Sequence, residues 1–131
     1  MLNILKKLYI FEGISDDLIN DFIKNSILKD FKKGETIIKE GEKSNNAYIL
    51  LSGIVGIYRG EKNISTIFEG DIFGEIALVL NEPRTATIKA ETDVKTLVLN
   101  NDFFEEFLKN SPKGEYIKTT ILNRIIQNNK K

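Results

Sequence analysis

A chain of 131 residues has room for one hydrophobic core and not for a second functional module. Its 41% hydrophobic and 29% charged content is that of a soluble globular domain, and 19 basic residues balance 19 acidic ones, which leaves no global field to attract nucleic acid or a membrane surface. The absence of Cys removes disulfides, thiolate nucleophiles and zinc–thiolate sites; the absence of His removes Ser–His triads, imidazole metal ligands and the commonest general base.

Residues 1–26 read as helical. Leu2, Leu5 and Leu8, then Leu18, Ile19, Phe22 and Ile23, recur at helical spacing. Gly13 divides two pieces, and Ser15 followed by Asp16 and Asp17 makes an N-cap with an acidic first turn. The opening apolar run is broken by Lys6 and Lys7 and ended by Glu12 with no small-residue cleavage site, so a secretory leader is not expected. The apolar-rich run from Ala47 to Tyr58 contains Ser52, Gly53 and Gly56 and is too short to span a bilayer. The expectation is a soluble, cytoplasmic protein with no membrane and no nucleic-acid partner.

From Ile27 to Leu99 the pattern changes to short strands punctuated at Lys33-Gly34, Glu40-Gly41-Glu42, Ser52-Gly53, Arg59-Gly60 and Glu69-Gly70-Asp71. Apolar alternation runs through Thr36–Lys39, Ile54–Tyr58 and Thr85–Ala90, and the last strand is Lys95–Leu99. Many short strands with glycine turns point to a small barrel or jelly roll. Helical spacing returns over 101–131. Asn101-Asp102 is the expected cap of a helix bearing Phe103, Phe104, Phe107 and Leu108, and Pro112 separates it from a last helix bearing Ile117, Ile121, Leu122, Ile125 and Ile126. Those five residues either pack on the barrel or form a homodimer seam. Helices, strands, then helices is an α+β order.

Chemistry concentrates in residues 73–87, FGEIALVLNEPRTAT. Gly74 has no Cβ and permits close approach to the main chain. Glu75–Leu80 is long enough for about one and a half helical turns, whose first N–H groups suit a phosphate. Pro83 stops such a turn, and Arg84, nine residues after Glu75, adds a permanent planar cation able to bind two phosphate oxygens. Ionised Glu75 only accepts hydrogen bonds, which fits a hydroxyl donor. One acceptor, one cation and a set of N–H groups around one small space suit a compact ligand with a hydroxyl and a phosphate.

The order Phe73-Gly74-Glu75, Ala77-Leu78, Arg84-Thr85-Ala86 and Ala90 closely resembles the phosphate-binding cassette of the cyclic nucleotide-binding domain, the ligand module of cAMP-regulated transcription factors, kinases and channels. The likeness extends over residues 3–128. It implies an eight-stranded β jelly roll of the double-stranded β-helix type at 27–99, flanked by N-terminal helices at 1–26 and two C-terminal helices at 101–131, all within one domain. It implies a cyclic nucleotide ligand, no cofactor and no enzymatic activity. By the resemblance, Glu75 and the Gly74 backbone hold the ribose hydroxyl, and Arg84 takes the cyclic phosphate with the N–H groups of Ile76 and Ala77 and with Thr85. The base lies near Ile72 and Phe73, the latter equally open to a plain core role. The last helix caps the base through Arg124, Asn123 or Asn128. Thr85 is compatible with cGMP, and cAMP is the favoured ligand.

With no DNA-reading helix, kinase lobe or exchange module in the sequence, a bare bacterial sensor acting on an unidentified protein effector is expected. A degenerate fold that has lost its ligand and serves as a protein-interaction module is the alternative. A metal-dependent cupin on the same jelly roll is disfavoured by the missing histidines, and a DNA-binding regulator by the balanced charge.

Overall fold

The computed structural model describes residues 1–43, 45–75 and 83–129, with side chains described as far as residue 123. Helix α1 (Leu2–Lys6), a 3-10 turn (Tyr9–Phe11) and α2 (Asp16–Lys24) come first. Strands β1 (Ile27–Phe31), β2 (Thr36–Ile38), β3 (Asn46–Ser52), β4 (Ile54–Arg59), β5 (Lys62–Phe68), β6 (Ile72–Phe73), β7 (Thr87–Ala90) and β8 (Val94–Asn100) follow, then α3 (Asn101–Asn110) and α4 (Gly114–Asn129). The strands form two four-stranded antiparallel sheets in the orders β1-β8-β3-β6 and β2-β7-β4-β5. This is the expected α+β jelly roll with helices at either end. No helix among the described residues is long and apolar enough to cross a membrane.

The continuous apolar run of β3 has a structural cause. Successive side chains of a strand face opposite sides of its sheet, and both faces of this sheet are covered. Ala47 and Ile49 join Ile72, Leu97 and Leu99 in a core shared with Leu5, Ile10, Phe11, Ile19, Phe22, Phe104, Leu108, Ile117 and Ile121 of the helical elements. Tyr48 and Leu50 face the barrel interior with Phe31, Ile38, Val55, Phe73, Ile88 and Val94. Of the C-terminal apolar residues, Ile117 and Ile121 are thus buried against the helices and the sheet, whereas Leu122 is exposed. The side chains of Ile125 and Ile126 lie outside the described residues.

Two local expectations are corrected. The cap of α3 is Asn100, whose side chain accepts from the Asp102 N–H at 2.9 Å; Asn101 is already helical. Asn100 serves because it ends β8 in extended conformation and still reaches the first turn. Strand β7 starts at Thr87, while Thr85 and Ala86 form a bend. Ser15 caps α2 as its sequence predicts, accepting from Leu18 N–H at 3.3 Å.

Candidate ligand site

Among the described residues, Arg84 is the only charged side chain buried in the molecule, at 4% exposure. Its position is fixed first through the main chain. The Gly41 N–H donates to the Arg84 carbonyl at 2.8 Å, and the Arg84 N–H donates to the Glu42 carbonyl at 2.9 Å. The β2–β3 connection thereby pairs with the segment after Pro83. That connection is itself tied down, since Lys39 N–H donates to the Glu42 carboxylate at 3.0 Å and Glu40 N–H to the Thr87 hydroxyl at 3.0 Å.

The guanidinium then reaches inward. Nη1 donates to the Gly74 carbonyl at 2.8 Å, and Nη2 donates to the Asn46 carbonyl. Nε is buried with no hydrogen-bond partner among the described residues. Burial pulls the Arg84 pKa below its ordinary value, and Tyr48, Glu42 and Glu75 act in the opposite sense. A cation held by two neutral carbonyls, with its Nε unpaired among the described residues, is only partly compensated for its lost water. An anion is the chemical group that completes it.

Gly74 sits against this cation with φ +72°. A Cβ there would lie 2.8 Å from Ile38 Cδ1 and 3.1 Å from Arg84 Nη1, so both conformation and space call for glycine. Glu75 follows, partly buried and electrostatically coupled to Arg84. Gly74 and Glu75 line a cavity of about 260 Å³ together with Ile57, Ser65, Thr66, Ile67, Asp71, Ile72, Phe73 and Ile88. Its wall mixes an apolar surface from β4, β6 and β7 with hydroxyls from β5 and two carboxylates, which is a lining suited to a ligand with one flat apolar part and several hydroxyls.

Five of the eleven residues singled out from sequence are brought together here. Ile72, Phe73, Gly74 and Glu75 share the cavity wall, and Arg84 bonds to Gly74 directly. Phe73 is 1% exposed and stacks on Tyr48 at 5.2 Å, so it is a core ring that also contributes to the wall. Thr85 is exposed beside Arg84. Ile76 and Ala77, with the short helical turn expected of Glu75–Leu80, lie outside the described residues. Asn123 is exposed on α4 and is not among the described wall residues; the side chains of Arg124 and Asn128 lie outside the described residues.

Sequence reasoning missed two sets of contributors. The β4, β5 and β7 wall (Ile57, Ser65, Thr66, Ile67 and Ile88) reads as ordinary strand, with only the mixture of hydroxyls and apolar residues to mark it. Asn46 acts through its main-chain carbonyl, which no residue type advertises.

The family model "Cyclic nucleotide-binding domain" matches residues 28–111. A human cGMP-dependent protein kinase 2 is 32% identical over 110 residues, which is 84% of this chain and 14% of the kinase. The chain therefore spans a small fraction of that relative's length. A solved structure of PKAR CBD2 bound to Sp-2Cl-cAMPS is 32% identical, with a TM-score of 0.80, and the match covers 98% of this chain and 83% of the other. The catabolite activator protein of Thermus thermophilus has the same fold, with a TM-score of 0.82 at 19% identity, over 92% of this chain and 59% of that one.

Proposed function

Because the chain belongs to the cyclic nucleotide-binding domain family, we propose that it binds cAMP at Arg84 and Glu75 and relays the bound state to a protein partner as a signalling sensor. The observation that carries this reading is the buried Arg84, held by two carbonyls with its Nε unpaired among the described residues. The cavity beside that cation favours this reading over a degenerate fold kept only for protein contacts.

In this reading the cyclic phosphate takes the Arg84 fork, and bonds to an anionic acceptor replace those to the neutral Gly74 and Asn46 carbonyls. Each such bond is worth about 1.5–3 kcal/mol. The N–H groups of Ile76 and Ala77 and the Thr85 hydroxyl assist. The Glu75 carboxylate accepts from the ribose hydroxyl, and the Gly74 backbone lets the ribose approach. The base rests on Ile72, Phe73 and the aliphatic residues of β4, β5 and β7, with Asn123, Arg124 or Asn128 of α4 closing over it.

Signalling requires that the ligand bind one arrangement more tightly than another, since equal affinity for both shifts nothing. Releasing the Gly74 and Asn46 carbonyls on ligand capture supplies such a difference. A homodimer through α4 and a separate effector protein are both compatible routes for the output, in a cytoplasmic setting.

A second reading, cGMP, rests on the exposed Thr85 directly after Arg84 and on the likeness to a cGMP-dependent kinase. Calorimetric titration of protein stripped of co-purified ligand distinguishes the two. The expected result is binding at micromolar affinity or tighter, with cAMP ahead of cGMP. A reversed order establishes the second reading, and no heat with either nucleotide, together with no thermal stabilisation, rejects both.

A further inference from the structure

Away from the ligand cavity, α2 and α3 enclose a groove of about 450 Å³. Its two walls are built alike. Leu18, Asp21, Phe22 and Asn25 line it from α2, and Phe103, Glu106, Phe107 and Asn110 line it from α3. Both sets follow the spacing i, i+3, i+4, i+7, the stripe by which a helix faces a neighbour. Each wall runs apolar, acidic, phenylalanine, asparagine. Phe22 is fully buried at the floor, its ring 5.4 Å from Phe103 and 5.1 Å from Phe107, while Phe103, Phe107 and Leu18 remain partly exposed.

The charge of these walls is one-sided. The two helices carry Asp16, Asp17, Asp21, Asp102, Glu105 and Glu106 against Lys24 and Lys109, in a chain whose overall charge is zero. Asp16 is paired with Lys6 at 3.2 Å, but Asp21 and Glu106 on the groove have no ion pair among the described residues. Two helices of nine and ten residues present a trough about 13–15 Å long, enough for two to three turns of a third helix.

We propose that this groove is a docking site for a basic amphipathic helix of a partner protein. Apolar side chains of that helix enter between Leu18, Phe103 and Phe107, and its Lys or Arg residues meet Asp21 and Glu106. Helix-in-groove recognition supplies the affinity through the apolar anchors, and the flanking charges select a basic over an acidic partner. Arginine adds contacts over the exposed ring faces.

The test uses fluorescein-labelled helical peptides of about 16 residues with leucines on one face and either lysines or glutamates on the other. Fluorescence polarisation against the full chain should give saturable binding of the lysine peptide at least about tenfold tighter than the glutamate peptide. Both Asp21 and Glu106 are exposed, so the Asp21→Lys/Glu106→Lys variant folds, which a thermal melt verifies, and its preference inverts to the glutamate peptide. Equal binding of both peptides, no binding, or a preference unchanged by the double substitution overturns the proposal. So does sedimentation showing a wild-type dimer that the double substitution dissociates, which assigns the groove to a second copy of the chain.

Discussion

Truncating Arg84 to Ala removes both the ligand's cation and an internal brace. The brace was not foreseeable from sequence, where an arginine next to a proline turn suggests a side chain dispensable for folding. Burial changes that expectation: the Gly74 and Asn46 carbonyls lose their donor, at about 1–3 kcal/mol for each buried group left unsatisfied. Arg84→Ala is therefore expected to lower the melting temperature and to weaken cyclic nucleotide binding at least about tenfold. Arg84→Lys keeps the charge but not the fork, so calorimetry should record most of the affinity loss with a smaller fall in stability. Unchanged affinity in both variants would remove Arg84 from the site. At Gly74 the left-handed backbone and the 2.8 Å approach to Ile38 act together, and Gly74→Ala is expected to cost at least about 1–2 kcal/mol in denaturant unfolding. Because the added methyl also crowds Nη1, its affinity loss should exceed that of a substitution equally destabilising but distant from the cavity.

Between elements, the junction of β8 with α3 is tied to the start of β3. The Asn100 side chain caps α3 and also donates to the Asn46 Oδ1 at 3.3 Å, while the Asn46 carbonyl holds Arg84. Asn100→Ala is expected to cost about 1 kcal/mol through the lost cap. A double-mutant cycle with Arg84→Lys, read by ligand titration, should give a coupling beyond additivity if the cap senses the cation; strict additivity would leave Asn100 a cap and nothing more. These links explain what was and was not legible in the chain. Strand boundaries follow from glycine turns, and helix faces from spacing, because both depend on neighbouring residues. Gly74 and Arg84 stand out in the sequence because their residue types carry the geometry they supply, a left-handed backbone and a planar cation. Asn46 is not, since it works through a carbonyl 38 residues from Arg84. Ser65 and Thr66 are not, because hydroxyls on an edge strand suit water as well as a ligand. The α3 cap was misread by one residue because three candidate caps, Asn100, Asn101 and Asp102, stand in a row.

For the molecule as a whole, ligand binding to the folded state alone must raise stability with the logarithm of ligand concentration above Kd. At a ligand concentration one hundred times Kd the gain is about 2.7 kcal/mol, which for a domain of this size raises the melting temperature by roughly 8–15 °C. Differential scanning calorimetry across a nucleotide series checks this, and the Kd derived from the shift should agree with that from titration. The jelly roll holds one core inside the barrel and a second between sheet and helices, with β3, β6 and β8 common to both. The main-chain pairing of Arg84 with Gly41 and Glu42 bears on speed as much as on affinity. With its Cα anchored beforehand, this residue needs no backbone rearrangement to meet an anion, only release of two carbonyls and a swing of its guanidinium. Arrival, not preparation of the cation, then limits capture. A stopped-flow trace should open with a phase whose rate climbs linearly with nucleotide concentration. A rate that levels off would instead mean that a slower opening stands between the nucleotide and its arginine.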